Sequence, residues 1–223
     1  MKTLGIISGM GAFAGMRLAK YLLDQAQDSK IMLDSDFPEF ILYNLPVKGM
    51  DETGITDEEL VKSQLKSALD KIEVWGCQQV VIACNTAHIF LHELQSNFDG
   101  HIINMIQCAC DEVRVKKVGI LCSDTTKNAR LYENALDRKG IQSVSTTDIE
   151  QKALNDAVKN AISGRPIRGN LIDAEHIIIR MSRAGADEVI VGCTEIPLIL
   201  ESRTAMNLID AGQSAINRAM KNG

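Results

Sequence analysis

Trp75-Gly76-Cys77-Gln78-Gln79-Val80-Val81-Ile82-Ala83-Cys84 and Ala184-Gly185-Ala186-Asp187-Glu188-Val189-Ile190-Val191-Gly192-Cys193 read as one pattern written twice, 109 residues apart. In each, a glycine follows a helix-like stretch, a short β-branched run follows the glycine, and a cysteine ends the run. Glycine just past a periodic segment marks a helix end, and a bounded apolar run of this length fits a strand buried on both faces. A second pair agrees: Gly5-Ile6-Ile7-Ser8 matches Gly119-Ile120-Leu121-Cys122 at an offset of 114. Near-equal offsets point to a duplicated α/β unit.

Working outward, strand-like and helix-like segments alternate. Leu4 to Ile7 is a strand closed by Ser8-Gly9-Met10-Gly11, and residues 13 to 27 carry a helical pattern. Phe40 to Tyr43 is a second strand. Thr56 and Glu59 form a capping-box pattern opening a helix to about Trp75, with Leu60, Leu65, Leu69 and Ile72 on one face. After strand 80–83, the second half has a strand at 117–121 and a helix near 125–138. Thr147 and Glu150 form another capping box, opening a helix to about Ile162. A helix over 171–184, a strand at 189–191 and a last helix over 209–221 complete the plan. Alternation of this kind implies parallel sheets covered on both faces. The expected fold class is α/β, with two pseudo-symmetric domains, each a parallel sheet flanked by helices, and an active site in the cleft between them. The first domain is expected over 1–107 plus 208–223, and the second over 108–207.

The 223 residues are 45% hydrophobic and 24% charged, an ordinary globular composition that excludes disorder. Lys and Arg number 24 against 29 Asp and Glu, a net charge of −5. With no long basic run, nucleic-acid binding is not expected. No apolar stretch reaches the roughly 18 residues of a membrane span, and the N-terminus lacks a signal-peptide pattern. The six cysteines form no Cys-x-x-Cys pair, so zinc and thioredoxin-like motifs are missing. A cytoplasmic protein with reduced thiols, no metal and no cofactor is expected. Gly9-Met10-Gly11 lacks the third glycine of a dinucleotide fingerprint, since position 14 is Ala14.

Cys84 and Cys193 each stand just past the carboxyl end of a strand, where ligands bind in open α/β sheets. Asn85-Thr86-Ala87-His88 and Thr194-Glu195-Ile196-Pro197 follow them, polar starts from which a helix N-terminus would favour a thiolate. If the halves face each other, the two sulfurs lie on opposite walls of one cleft. Inversion of a carbon stereocentre needs a proton taken from one face and another delivered to the opposite face, and a thiolate/thiol pair supplies both. Donors beside the thiols would stabilise the carbanion that develops. Cys77, Cys108, Cys110 and Cys122 read as core residues, as free cysteines usually do.

Gly9-Met10-Gly11, Cys84-Asn85-Thr86-Ala87-His88 and Gly192-Cys193-Thr194-Glu195 resemble the aspartate/glutamate racemase superfamily, which works without pyridoxal phosphate. The resemblance covers nearly the whole chain, and Glu195 points to the aspartate-racemase branch. It implies Cys84 and Cys193 as the base/acid pair. It implies Asn85, Thr86 and Thr194 as ligands of the substrate's α-carboxylate or amino group, with Met10, Ser123, Thr126 and Glu195 around the cleft. The Arg that clamps a carboxylate in aspartate racemases has no counterpart near 44–51, where Lys48 is the nearest cation and the candidate for that place. A further family Lys falls on Ser163, with Arg165 and Arg168 nearby. The partners so implied are a small-molecule amino acid, aspartate or another acidic one, and a second copy in a homodimer.

Two other readings compete. One keeps the fold and changes the reaction, to hydantoin racemisation or cis–trans isomerisation of a dicarboxylate. The other is a catalytically idle amino-acid-binding protein.

Overall fold

The fold starts from β1 (Leu4–Ser8), whose five residues are all buried. The turn after it leads into α1 (Ala12–Asp28), and β2 (Phe40–Asn44) then pairs parallel to β1. A small antiparallel hairpin follows, β3 (Met50–Asp51) with β4 (Gly54–Ile55). α2 (Glu58–Val74) leads to β5 (Gln79–Ile82), and then come α3 (Leu91–Gln95), β6 (His101–Ile102) and α4 (Met105–Glu112). The second half opens with β7 (Lys117–Cys122), α5 (Asp124–Asn128), α6 (Leu131–Asp137) and β8 (Gln142–Val144). It continues with α7 (Asp148–Ile162), α8 (Arg168–Arg183), β9 (Glu188–Gly192), α9 (Ile196–Ile199), β10 (Asn207–Asp210) and α10 (Ala211–Lys221). This computed structural model describes residues 2–29, 32–51, 53–165, 168–200 and 206–221, with only the backbone of Arg168 and Asn170.

Two four-stranded sheets result, β2-β1-β5-β6 and β8-β7-β9-β10, parallel throughout. Their orders superpose when β7 stands for β1 and β9 for β5. The packing repeats as well. A Cβ on Gly5 would meet Ile72 and Val80, and one on Gly119 would meet Met181 and Val189. Each partner residue is displaced by the same 109 positions that separate the two cysteines.

The halves share an interior. One core cluster joins Leu4, Ile6 and Val81 of the first sheet to Val118, Ile120 and Ile190 of the second, through residues of α1, α4 and α10. α4 and α10 pack on each other; α4 also packs on α6 and α10 on α1, so each half's last helix leans on the other half. Separate clusters fill the outer layer of each half. None of the helices among the described residues is long and apolar enough to cross a membrane.

Three expectations need correction. The N-cap of α2 is Asp57, which accepts from Leu60 N–H, and not Thr56. The helix therefore starts one residue later, Val61 takes the inward position and Leu60 is exposed. The helix near 125–138 is two helices, broken at Arg130, which adopts φ +52°. Residues 207–210 form a strand paired with β9, so 208–210 belong to the second sheet, although Asp210 also bonds Arg17 of α1 and the helix after it packs on the first half. Strand and helix are hard to separate in a short apolar run, and Asp210 makes the boundary by capping α10 through Gly212 and Gln213 N–H. No strand is expected from the sequence over 50–55, where the structure has the β3–β4 hairpin. The hairpin touches the second half: Thr125 donates its N–H to Thr53 O at 3.2 Å, and Ile55 N–H donates to Thr125 Oγ1 at 3.2 Å.

Candidate active site

Cys84 follows β5 and Cys193 follows β9, the equivalent central strands of the two sheets. Both line one cavity of about 440 Å³. The turn after β1 closes one side with Gly9, Met10, Gly11 and Ala12. The β3–β4 hairpin adds Met50, Asp51 and Gly54, with Val47 ahead of it. Asn85, Thr86, Ser123, Thr194 and Glu195 supply the polar wall, and Val158 and Ile162 of α7 supply an apolar one. The cavity thus lies at the carboxyl ends of both sheets, as the strand polarity requires.

Three hydroxyls bridge the halves beside Cys84. Thr86 Oγ1 lies 2.8 Å from Ser123 Oγ and 3.2 Å from Thr126 Oγ1, and Ser123 Oγ donates to Thr126 Oγ1 at 3.0 Å. Ser123 also caps α5 by accepting from Thr126 N–H. Thr126 is fully buried and stands behind the wall rather than in it. On the other side, Glu195 Oε2 accepts from Cys193 Sγ at 3.2 Å and from Thr194 Oγ1 at 3.0 Å. Its Oε1 is buried with no hydrogen-bond partner among the described residues. That oxygen lies over Gly11, where a Cβ would come within 1.9 Å of it and where φ is +80°. The turn after β1 is therefore shaped to Glu195.

Burial dominates the electrostatics. It pushes the Cys84 thiol up to about 11, against the pull of Ala87 and Thr86 backbone N–H groups and with help from the Glu195 charge. It pushes Cys193 well above the usual thiol range, and the Glu195 carboxylate and Cys84 add to the rise. Burial also raises Glu195, opposed by hydrogen bonds from Cys193 and Thr194. Neither cysteine opens a long helix: a five-residue 3-10 turn, Thr86–Phe90, follows Cys84, and the four-residue α9 follows Cys193 and its neighbours. The helix-terminus pull expected from the sequence is correspondingly small, and both thiols rest protonated at neutral pH. Asp51 is held below the usual carboxylate range, chiefly by the Thr53 hydroxyl, with Thr53 and Gly54 N–H groups and the Lys159 charge assisting.

His88 faces away from this chemistry. Its Nε2 accepts from Met105 N–H at 3.2 Å, which leaves Nδ1 to donate to Cys84 O at 2.9 Å. Burial lowers its pKa, so the ring stays neutral. His88 ties the Cys84 backbone to the start of α4.

Of the residues singled out from sequence, Cys84, Cys193, Met10, Asn85, Thr86, Ser123, Thr194 and Glu195 are brought together around the cavity. Lys48 is not among the lining residues: its side chain is exposed, and its backbone N–H and C=O are held by Gln64 on α2. Ser163 ends α7 with its hydroxyl on Lys159 O, and it and Arg165 are exposed outside the cavity. The side chain of Arg168 lies outside the described residues. Sequence reading missed Asp51, Val158, Ile162 and Tyr132, whose hydroxyl bonds Asn85. The spacing of Val158 and Ile162 marks one face of α7 but not what that face meets. Nothing local marks Tyr132.

Residues 7–219 match the family model described as Asp/Glu/Hydantoin racemase. The broad specificity amino-acid racemase RacX of Bacillus subtilis (strain 168) is 23% identical over 201 residues, covering 89% of this chain and 87% of that protein. A glutamate racemase of Corynebacterium diphtheriae is 25% identical over 202 residues, covering 86% and 68%. Among solved structures, an aspartate racemase homologue from Pyrococcus horikoshii OT3 superposes with a TM-score of 0.81 at 23% identity, covering 100% of this chain and 99% of that one. The aspartate racemase of Picrophilus torridus superposes at 0.80 and 23% identity, covering 100% and 94%. With the family model spanning both halves and the two cysteines, the chain belongs to the Asp/Glu/hydantoin racemase family of isomerases.

Proposed function

We propose that the chain racemises an amino acid without a cofactor, Cys84 and Cys193 exchanging protons with the α-carbon from opposite faces. The observation that carries this reading is that two cysteines at equivalent positions of the two halves line a single cavity. One cysteine, as thiolate, takes the α-proton and becomes a thiol; the other, as thiol, returns a proton to the opposite face and becomes a thiolate. The net proton count is unchanged, and the product leaves the pair ready for the reverse reaction. Both thiols rest protonated, so a base must first be made. Glu195 accepts the Cys193 hydrogen bond and has its own proton affinity raised by burial, so it is the group to take that proton. Asn85 Nδ2 is the donor left open for a carboxylate and a developing carbanion, and the Thr86, Ser123 and Thr194 hydroxyls, bonded within the site in this state, would join it by turning toward the substrate.

For the substrate, the family resemblance and Glu195 support aspartate or another acidic amino acid. A second reading, an uncharged side chain, is favoured by the apolar wall of Val47, Met50, Val158 and Ile162 and by the Asp51 carboxylate at its edge. Incubation with each L-amino acid in D₂O, followed by NMR and chiral chromatography, separates these. Deuterium incorporation with inversion is expected for at least one of them. Cys84→Ala and Cys193→Ala should each lose inversion by a factor of 10³ or more, about the scale of removing a proton-transfer group. Inversion by either single variant at the wild-type rate would remove that cysteine from the mechanism. Binding without exchange in reduced protein would leave the idle binding protein.

A further inference from the structure

Asn85 lines the cavity and is almost fully buried, yet its side-chain nitrogen Nδ2 has no hydrogen-bond partner among the described residues. Buried amide groups without partners are rare, and one on a residue that lines a cavity is a candidate donor to a ligand there. The other end of the amide is engaged. Tyr132 of α6, in the second half, donates its hydroxyl to Asn85 Oδ1 at 2.6 Å. Its ring is wholly buried, and its placement is built into the second sheet: a Cβ at Gly192, next to Cys193, would come within 2.4 Å of Tyr132 Cε2.

We propose that Tyr132 is a positioning residue that fixes which way the Asn85 amide faces, committing its NH₂ to the α-carboxylate of the bound amino acid rather than its oxygen to the ammonium group. Burial keeps the Tyr132 phenol protonated far above neutral pH, so it remains a donor and holds the Asn85 oxygen. With that oxygen taken, the amide offers only N–H groups, and these match an anion. The bond also crosses from one half to the other, so the carboxylate site exists only when the halves are registered as they are here. The identity of the occupant rests on the racemase reading, but the coupling of Tyr132 to Asn85 does not.

The test is a double-mutant cycle read by calorimetric binding and by exchange kinetics, with the amino acids of the D₂O panel as ligands. Tyr132→Phe keeps the ring beside Gly192 and removes only the hydroxyl. It should raise Kd and KM about tenfold and change kcat less than about threefold, the scale of one hydrogen bond to a charged group. In an Asn85→Ala background the same substitution should add nothing, because Tyr132 acts only through Asn85. Asn85→Asp keeps an acceptor for Tyr132 but turns an oxygen on the ligand, and it should bind as poorly as Asn85→Ala. Equal losses from Tyr132→Phe with and without Asn85 would overturn the proposal, as would unchanged binding in Tyr132→Phe or full binding in Asn85→Asp. Should Tyr132→Phe melt too low to assay, the Asn85→Asp result decides alone. Wild-type protein that binds an amino acid without exchanging its α-proton would end the racemase reading while the binding cycle still judged Tyr132. Wild-type protein that binds none would overturn both.

Discussion

At the residue scale, the site turns on contacts that admit little change. Gly11 is the sharpest case. A methyl group there would overlap Glu195 Oε1, and φ +80° is a backbone state that only glycine holds without strain. Gly11→Ala should cost about 1–2 kcal/mol of stability from the backbone alone. It should also push the carboxylate off Cys193 and Thr194, with a loss of exchange much larger than that stability change explains. Thermal unfolding and the D₂O assay measure the two separately. If stability falls and exchange does not, Glu195 has no part in preparing Cys193.

At the element scale, short hydrogen-bonding motifs set where helices begin, and the helices set the walls. α7 carries Val158 and Ile162 to the cavity, and its start is held by a reciprocal capping box. Glu150 N–H donates to Thr147 Oγ1 at 3.3 Å, and Thr147 N–H donates to Glu150 Oε2 at 2.8 Å. Arg180 of α8 donates from Nε to Glu150 Oε1 at 2.6 Å, which ties the two helices together. Thr147→Ala should therefore destabilise the protein by about 1 kcal/mol, read as a lower denaturant midpoint at unchanged slope. An unchanged midpoint would mean that the α7–α8 packing sets the helix start without the cap. The break between α5 and α6 serves the site too, since α5 places Ser123 and Thr126 while α6 places Tyr132.

At the scale of the whole molecule, the shared core makes the two halves one structure. Cys108 and Cys110 of α4 lie in that core among residues of both sheets. Burial pushes Cys84 and Cys108 up to about 11 and Cys110 to about 12. An unfolded chain titrates its thiols near 8.5. The folded state thus holds these protons to higher pH than the unfolded state does. The stability they contribute is complete below about pH 8.5 and is lost as pH rises through about 11. The melting temperature should stay level from pH 7 to 8.5 and fall steadily from pH 9 upward. The fall should be shallower in a Cys108→Ala/Cys110→Ala protein compared with its own value at pH 7. Identical slopes for the two proteins would show that other groups control the alkaline transition.

The sequence by itself determined the alternation of strands and helices, the duplication and the pairing of Cys84 with Cys193. These are written in local apolar runs, in helix-end glycines and in a repeat offset, all of which act over short stretches of chain. It also named the polar residues that follow each cysteine, because they stand next to it. Only the tertiary structure decided the rest. It placed β10 in the second sheet, set Lys48 outside the cavity, and brought Asp51, Val158, Ile162 and Tyr132 to the site from positions at least 31 residues from either cysteine. It also raised the thiol pKa values where the sequence pointed to helix ends that would lower them. The physical reason is that burial and contact across the cleft belong to the packed pair of halves: desolvation depends on everything around a group, and no single stretch of chain contains its own surroundings.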